Sequence, residues 1–430
     1  MTITFVGHGY VGLVTACVFA DFGNNVWVIG HTPHKIDRLK KGDPLIYEPG
    51  LKEILVKNLK AKRLHFTLDY DQAIPASDIV FITVGTPTNK EGVADLEAVF
   101  DVAQTIAPYL KKGKTVVSCK STVPVGTNKK VEQLINRNKA KEARVLMASC
   151  PEFLREGTAL ADSFHPDRVV IGSDSPEALK LLLTLHKPLK SKPVITDLAS
   201  AELIKYASNS MLATKVSFAN FIALYCEKTG ADSETVLEAV GLDKRIGRAY
   251  LNPGIGYGGS CLPKDVAALI HSSRSLGLDA SLLKAVDSVN DLAKDNFYRK
   301  IIKHSPGRRL AVWGLSFKPE TDDIRYAPAL YIIGKLLKKG YTIAAYDPVA
   351  SENVKKALGN KIEYALGPYE ALKGADALCI FTEWNEFKEV DLKKVKAELK
   401  KPVIFDGRNI YPPEALKKIG FTYFGVGRHL

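Results

Sequence analysis

One cysteine of six stands where covalent chemistry is favoured. It lies in the stretch Asn252-Pro253-Gly254-Ile255-Gly256-Tyr257-Gly258-Gly259-Ser260-Cys261-Leu262-Pro263-Lys264-Asp265. Four glycines leave the loop little side-chain bulk, so a ligand can approach its backbone. Pro263 suits the first turn of a helix continuing through Asp265-Val266-Ala267-Ala268-Leu269. Cys261 then sits at a helix N-terminus beside Lys264, and both features favour the nucleophilic thiolate. A structural cysteine in a capped loop would not need this glycine density. Cys17, Cys119, Cys150, Cys226 and Cys379 show neither metal-ligand nor redox-motif spacing, so no metal is expected.

Other candidates surround that loop in chemistry, though not in sequence. Lys205 and Asn209 lie four apart on a helical stretch and share a face. There they can hold an oxyanion; spacing alone fits a solvent-facing lysine equally well. Glu152 and Glu156, in Pro151-Glu152-Phe153-Leu154-Arg155-Glu156, follow the strand Val145–Ala148. Strand C-termini are where ligands sit in open parallel sheets, so the two acids suit a base and a ligand contact. The plainer reading is a pair of helix-start acids interacting with Arg155. Thr122, in Ser121-Thr122-Val123-Pro124, is a site hydroxyl or an N-cap, and by itself the cap is favoured.

Gly7-His8-Gly9-Tyr10-Val11-Gly12 follows a strand and opens a helix, which points to a dinucleotide pyrophosphate at the helix N-terminus. The second strand of such a unit should end in an acid for the adenosine ribose. Here that position is Gly30, followed by His31, Thr32, Pro33, His34 and Lys35, with no carboxylate before Asp37. The reading favours NAD and leaves NADP open.

These residues need a scaffold. Apolar runs at Ile3–Val6, Val26–Ile29, Ile79–Val84, Thr115–Ser118, Val145–Ala148 and Val169–Ile171 alternate with helical stretches at Tyr10–Phe22, Leu96–Leu110 and Val125–Asn136. That alternation predicts a parallel sheet with crossover helices. From Leu198 to Val240 the pattern turns helical, with Leu203, Ala207, Met211, Thr214 and Phe218 at helical spacing. After Ser305-Pro306-Gly307 the strands return at Leu310–Trp313, Ile343–Tyr346, Leu378–Phe381 and Val403–Phe405. The fold class is α/β: two Rossmann-like parallel-sheet domains joined by a helical middle domain with a long central helix. The expected division is 1–197 for dinucleotide binding, 198–304 for the helical middle and 305–430 for a second binding domain. The third segment echoes the first: a strand into Gly314, a helix, then a strand ending at Asp347.

Composition narrows the partners. The 430 residues are 46% apolar and 25% charged, with a net charge of +13. The basic residues are scattered in pairs such as Lys40-Lys41 and Lys338-Lys339, and no nucleic-acid motif is seen, so no nucleic-acid partner is expected. Thr2 to Ala20 carries no charge, but glycines interrupt it and no basic start precedes it, so neither a signal peptide nor a membrane span is read there. Few cysteines in so long a chain point to the cytoplasm.

Together the motifs resemble the nucleotide-sugar dehydrogenases over nearly the whole chain. The resemblance rests on Gly7–Leu13, Tyr47-Glu48-Pro49-Gly50-Leu51, Val84-Gly85-Thr86-Pro87, Ser121–Thr127, Pro151–Gly157, Lys205 with Asn209, and the Cys261 loop. It extends to Phe317-Lys318-Pro319, Asp322-Asp323-Ile324-Arg325 and Asp406-Gly407-Arg408-Asn409. His165-Pro166-Asp167-Arg168 and the Asp-Gly-Arg-Asn segment point to the UDP-glucose branch over the GDP-mannose branch. The resemblance implies NAD-dependent four-electron oxidation of UDP-glucose to UDP-glucuronate through a thiohemiacetal and a thioester on Cys261. It implies Lys205 and Asn209 as oxyanion donors, Asp265 as an orienting group, and Glu152 as base with Thr122 placing water. Substrate contacts carried over are Glu152, Phe153, Leu154, Lys205, Asn209, Tyr250, Leu251, Asn252, Gly254, Gly258 and Lys318. Arg245 would reach the partner subunit's substrate, implying a homodimer through the middle helices. Cofactor contacts carried over are Gly7, Gly9, Tyr10, Val11, Gly12, Lys35, Thr86, Thr122, Glu156, Lys264 and Arg325. Gly30 departs from the family, where Asp is usual. Without the resemblance, a two-electron hydroxyacid-type dehydrogenase and a redox-switched dinucleotide sensor stay open. So does the same chemistry on another sugar nucleotide, GDP-mannose or a UDP-N-acetylhexosamine.

Overall fold

The computed structural model describes residues 1–428. The chain divides into two compact units. One comprises 1–208 with 267–272, the other 209–266 with 273–430.

The first unit is built on an eight-stranded sheet in the order β3-β2-β1-β4-β5-β6-β7-β8. Its strands are β1 (Thr2–Val6), β2 (Asn25–Ile29), β3 (Leu64–Thr67), β4 (Ile79–Ile82), β5 (Gly113–Cys119), β6 (Ala143–Ser149), β7 (Val169–Gly172) and β8 (Pro193–Thr196). The central strands are buried on both faces, which is why they read as unbroken apolar runs. One apolar layer contains Phe5, Phe19 and Phe81; the other contains Val80, Ile82, Val117 and Ile135. β1 to β6 run parallel, whereas β7 meets β6 antiparallel at a single pair, Ser149 with Gly172. The sequence pattern predicted parallel strands throughout. A parallel return needs a full crossover helix, and the only helix between β6 and β7 is the short Ala159–Phe164. β3 and β8 were not expected from the apolar pattern. β8 is mostly exposed and opens on Pro193, as an edge strand can.

The second unit carries a six-stranded parallel sheet in the order β11-β10-β9-β12-β13-β14. Its strands are β9 (Arg309–Trp313), β10 (Thr342–Tyr346), β11 (Glu363–Tyr364), β12 (Ala377–Ile380), β13 (Val403–Asp406) and β14 (Thr422–Phe424). The order repeats that of the first six strands of the other sheet. The architectural echo therefore extends through the whole sheet, beyond its opening strands.

A helix of 32 residues, Leu198–Thr229, starts in the first unit and continues into the second. It ends at Gly230 (φ +82°), and Asp232 caps the next helix, Ser233–Leu242, accepting from Thr235 N at 2.9 Å. The stripe Leu203, Ala207, Met211 and Phe218 faces outward along it; Met211 is 59% exposed. The buried face is formed instead by small and polar residues such as Ala213, Ser217, Asn220 and Ala223.

Candidate active site

In the first unit, the glycine turn is fixed by close backbone approach. A Cβ on Gly7 (φ +118°) would lie 2.7 Å from Thr83 O, and one on Gly12 only 2.2 Å from Gly7 O. A Cβ on Gly9 would meet nothing within 4 Å. Gly9 thus borders open space at the start of the helix Tyr10–Asp21, the cradle a pyrophosphate requires. The residues present fit a dinucleotide at this end.

Glu48 ties that turn to the segment after β6. Its buried carboxylate accepts from Tyr10 Oη, from Gly157 N at 2.7 Å and from Leu160 N at 3.1 Å. Gly157 N also donates to Tyr10 Oη at 2.8 Å. Tyr47-Glu48-Pro49-Gly50 therefore braces Glu152–Gly157, a role that its sequence alone did not disclose. Thr86 Oγ1 donates to Thr122 O at 2.8 Å, joining two predicted cofactor residues. Thr122 is not a helix cap: the following helix spans Thr127–Asn138. Its free N–H groups at Gly126 and Asn128 go to Glu202, each at 2.7 Å.

Glu152 and Lys205 form a buried ion pair. Oε1 lies 3.0 Å from Nζ, with side chains 7% and 4% exposed. Leu154 N donates to the other carboxylate oxygen at 2.5 Å. Lys205 does not face solvent, and Arg155 pairs with Asp162. Phe153 packs against two cations, with Arg168 Cζ 3.9 Å and Lys205 Nζ 5.4 Å from its ring centre.

A third charge belongs to this cluster. Lys120, at the end of β5, is buried and donates to Cys150 O at 3.4 Å. Burial holds its ammonium below the usual lysine range; Cys150 and Glu152 oppose that shift and Lys205 adds to it. Nothing in the sequence marked Lys120 beyond its place before Ser121. Its burial depends on β6 and the segment that follows.

In the second unit, Cys261 precedes the helix Leu262–Ser275, and its carbonyl accepts from Asp265 N at 2.9 Å. It is partly exposed, whereas the other five cysteines are buried. Burial pushes the Cys17 and Cys119 thiols up to about 12 and also raises those of Cys150, Cys226 and Cys379. Those thiols are inert structural groups. Asp265, 1% exposed, accepts from Asn209 Nδ2 at 2.5 Å and pairs with Lys264 at 2.5 Å. The first turn of the cysteine helix thus fixes an amide carried by the long helix.

The glycines of the Cys261 loop also admit close contacts within the unit. A Cβ on Gly258 would lie 2.3 Å from Tyr326 O, and one on Gly259 (φ +80°) 2.7 Å from the Phe317 ring. On Gly256 (φ +93°) it would lie 2.7 Å from Asn290 Oδ1. The bulk is absent so that the Tyr326 backbone and the Phe317 and Asn290 side chains can close around the loop. Gly259 N donates to Arg325 O at 2.9 Å, Gly254 N to Asn220 Oδ1 at 2.8 Å, and Arg408 Nη1 to Gly256 O at 3.2 Å. Leu251 and Gly254 are buried, and Asn252 is exposed. Tyr250 adopts φ +64°, rare for a bulky side chain. Lys318 lies 5.6 Å over the Phe317 ring. Arg245, 88% exposed, pairs with its neighbour Asp243. The Arg325 side chain pairs with Asp323 in the second unit. Lys35 and Glu156 are placed in the first unit, exposed and half-buried respectively.

A glycine-turn parallel sheet, a second sheet of the same order and a half-buried cysteine at a helix start define a dinucleotide-dependent oxidoreductase of the covalent type. Comparison with known proteins specifies it. The chain belongs to the UDP-glucose/GDP-mannose dehydrogenase family. It matches the family's NAD binding domain over residues 1–190, its central domain over 199–292 and its UDP binding domain over 311–413. It is 45% identical over 429 residues to a UDP-glucose 6-dehydrogenase of Bacillus subtilis, covering 99% of this chain and 93% of the relative. It is 42% identical over 443 residues to that of Pseudomonas aeruginosa, covering 100% of this chain and 98% of the relative. A solved UDP-glucose dehydrogenase from Pyrobaculum islandicum superposes with a TM-score of 0.92 at 38% identity, covering 100% of this chain and 98% of the other.

Proposed function

We propose that this enzyme oxidises C6 of UDP-glucose to the carboxylate of UDP-glucuronate, with Cys261 carrying the sugar between two oxidations. The observation that carries this reading is the setting of Cys261: the one partly exposed thiol among the described residues, at the start of a helix whose Asp265 holds Asn209. A nicotinamide cofactor, when bound, accepts a hydride from C6 in each oxidation. The glycine turn and Thr86 hold that cofactor. Lys264, Glu156, Lys35 and Arg325 are further contacts on this reading.

Cys261 Sγ adds to the C6 aldehyde as a thiolate, giving a thiohemiacetal. Asn209 and Lys205 stabilise its oxyanion by donating hydrogen bonds. The next oxidation leaves C6 as a thioester. Glu152 takes a proton from water, helped by Thr122; the water oxygen bonds to C6, and the sulfur leaves as thiolate. Phe153, Leu154, Tyr250, Asn252, Lys318 and the loop backbone hold the substrate. The second sheet binds the uridine diphosphate, which gives the basic charge an anionic partner. Sequence relatives at 42–45% identity bear the name UDP-glucose 6-dehydrogenase, which favours glucose over other sugars.

The same reading makes the protein a homodimer. Met211, Phe218, Phe221 and Tyr225 recur at heptad spacing and are 59%, 48%, 51% and 62% exposed. An apolar stripe of that extent calls for a partner helix, and exposed Arg245, exchanging Asp243, then reaches the partner's substrate. The three-part division at 197 and 304 is retained as the functional one. No helix among the described residues is long and apolar enough to cross a membrane, and six cysteines in so long a chain favour the cytoplasm.

The test is intact mass after mixing the E152Q protein with UDP-glucose and cofactor. A covalent sugar adduct, absent from the C261S protein, is expected. A C261S protein that keeps full turnover overturns the covalent route.

A further inference from the structure

Position 30 differs between the two sheets, and the second sheet supplies an internal comparison. Gly7 N donates to Ile29 O at 2.9 Å, and Gly314 N donates to Tyr346 O at 2.9 Å. Gly30 and Asp347 are therefore equivalent, each the first residue beyond the second strand. Asp347 is a buried carboxylate that accepts from Leu315 N at 2.7 Å and Ser316 N at 3.1 Å. Gly30 offers no side chain, and the surroundings show why. A Cβ there would lie 2.5 Å from Ile36 Cδ1 and 2.9 Å from His8 Nδ1. Ile36 and the imidazole of His8 together occupy the place of a residue-30 side chain, so a carboxylate there would require them to shift.

His8 is 8% exposed, and its Nδ1 has no hydrogen-bond partner. The His31 ring lies 5.4 Å from it, centre to centre. Burial chiefly, with the charges of His31 and Lys35 adding, holds His8 below the usual histidine range. The place where an acid would bind ribose hydroxyls thus presents two imidazoles and an ammonium. A carboxylate there repels a 2′-phosphate, whereas these groups donate to one.

We propose that His8, His31 and Lys35 form a 2′-phosphate subsite at the ribose end of the glycine turn, so that this enzyme takes NADP. The proposal rests on the reading of the glycine turn as the dinucleotide site. The test is calorimetric binding of 2′-phospho-ADP-ribose and ADP-ribose to the full-length protein. The phosphorylated ligand is expected to bind about tenfold tighter or more, with the gap closing at high salt. H31A and K35A each narrow the gap, and H8A/G30D reverses it in favour of ADP-ribose. Equal or tighter binding of ADP-ribose by the wild type overturns the subsite and leaves the dinucleotide reading intact. If neither ligand binds, both fall.

Discussion

Removing the charge of Glu152 strands two cations. Lys205 Nζ is 3.0 Å from the carboxylate, with both side chains over nine-tenths buried. At an effective dielectric of about 20 the gross attraction is about 5 kcal/mol. Neutralising one partner of a buried pair destabilises by about 3–5 kcal/mol, because the other charge stays desolvated. Lys120, buried in the same cluster, places E152Q at the upper end. For a unit of this size each kcal/mol moves the midpoint by about 2–4 °C, so E152Q should melt roughly 10 °C below wild type. K205M should lose less, since Leu154 N and Lys120 still support Glu152. E152Q/K205M removes both charges and should lie above E152Q alone. Differential scanning calorimetry on the four proteins closes the cycle. Additive losses, with the double variant lowest, would refute the ion-pair account.

Two further predictions follow, one from burial and one from exposure. Burial chiefly, with the Lys120 charge adding, lowers His186 to about 4. The unfolded chain protonates it nearer 6.5, so stability falls as pH drops from about 6.5 to 4, by about 3 kcal/mol. H186F should remove this acid-side loss in urea titrations taken across that range; an unchanged pH profile counts against it. The exposed stripe of the long helix predicts a homodimer that M211E and F218E convert to monomer in sedimentation; a wild-type protein that is already monomeric rejects the stripe as an interface.

Legibility followed burial pattern. Strands buried on both faces, such as β1, β4 and β12, were visible as apolar runs. β8, exposed and starting on Pro193, and β11, two residues long, carried no such signal. The apolar stripe of the long helix was legible as a helix but not as an outward face, because periodicity does not say which side is covered. At the site, Cys261 and the glycine turn were local patterns and stood out. Lys120 and Glu48 act through contacts distant in sequence, which spacing cannot reveal. The Cys261-loop glycines stood out as well, whereas their close contacts with Tyr326, Phe317 and Asn290 come from segments distant in sequence.

The most direct test of the covalent four-electron reading counts reduced cofactor per sugar. Purified protein is mixed with limiting UDP-glucose and excess oxidised cofactor. About two reduced cofactors per UDP-glucose are predicted, because C6 is oxidised once to the aldehyde and once more, bound to Cys261, to the thioester. About one, with free aldehyde released, would contradict it.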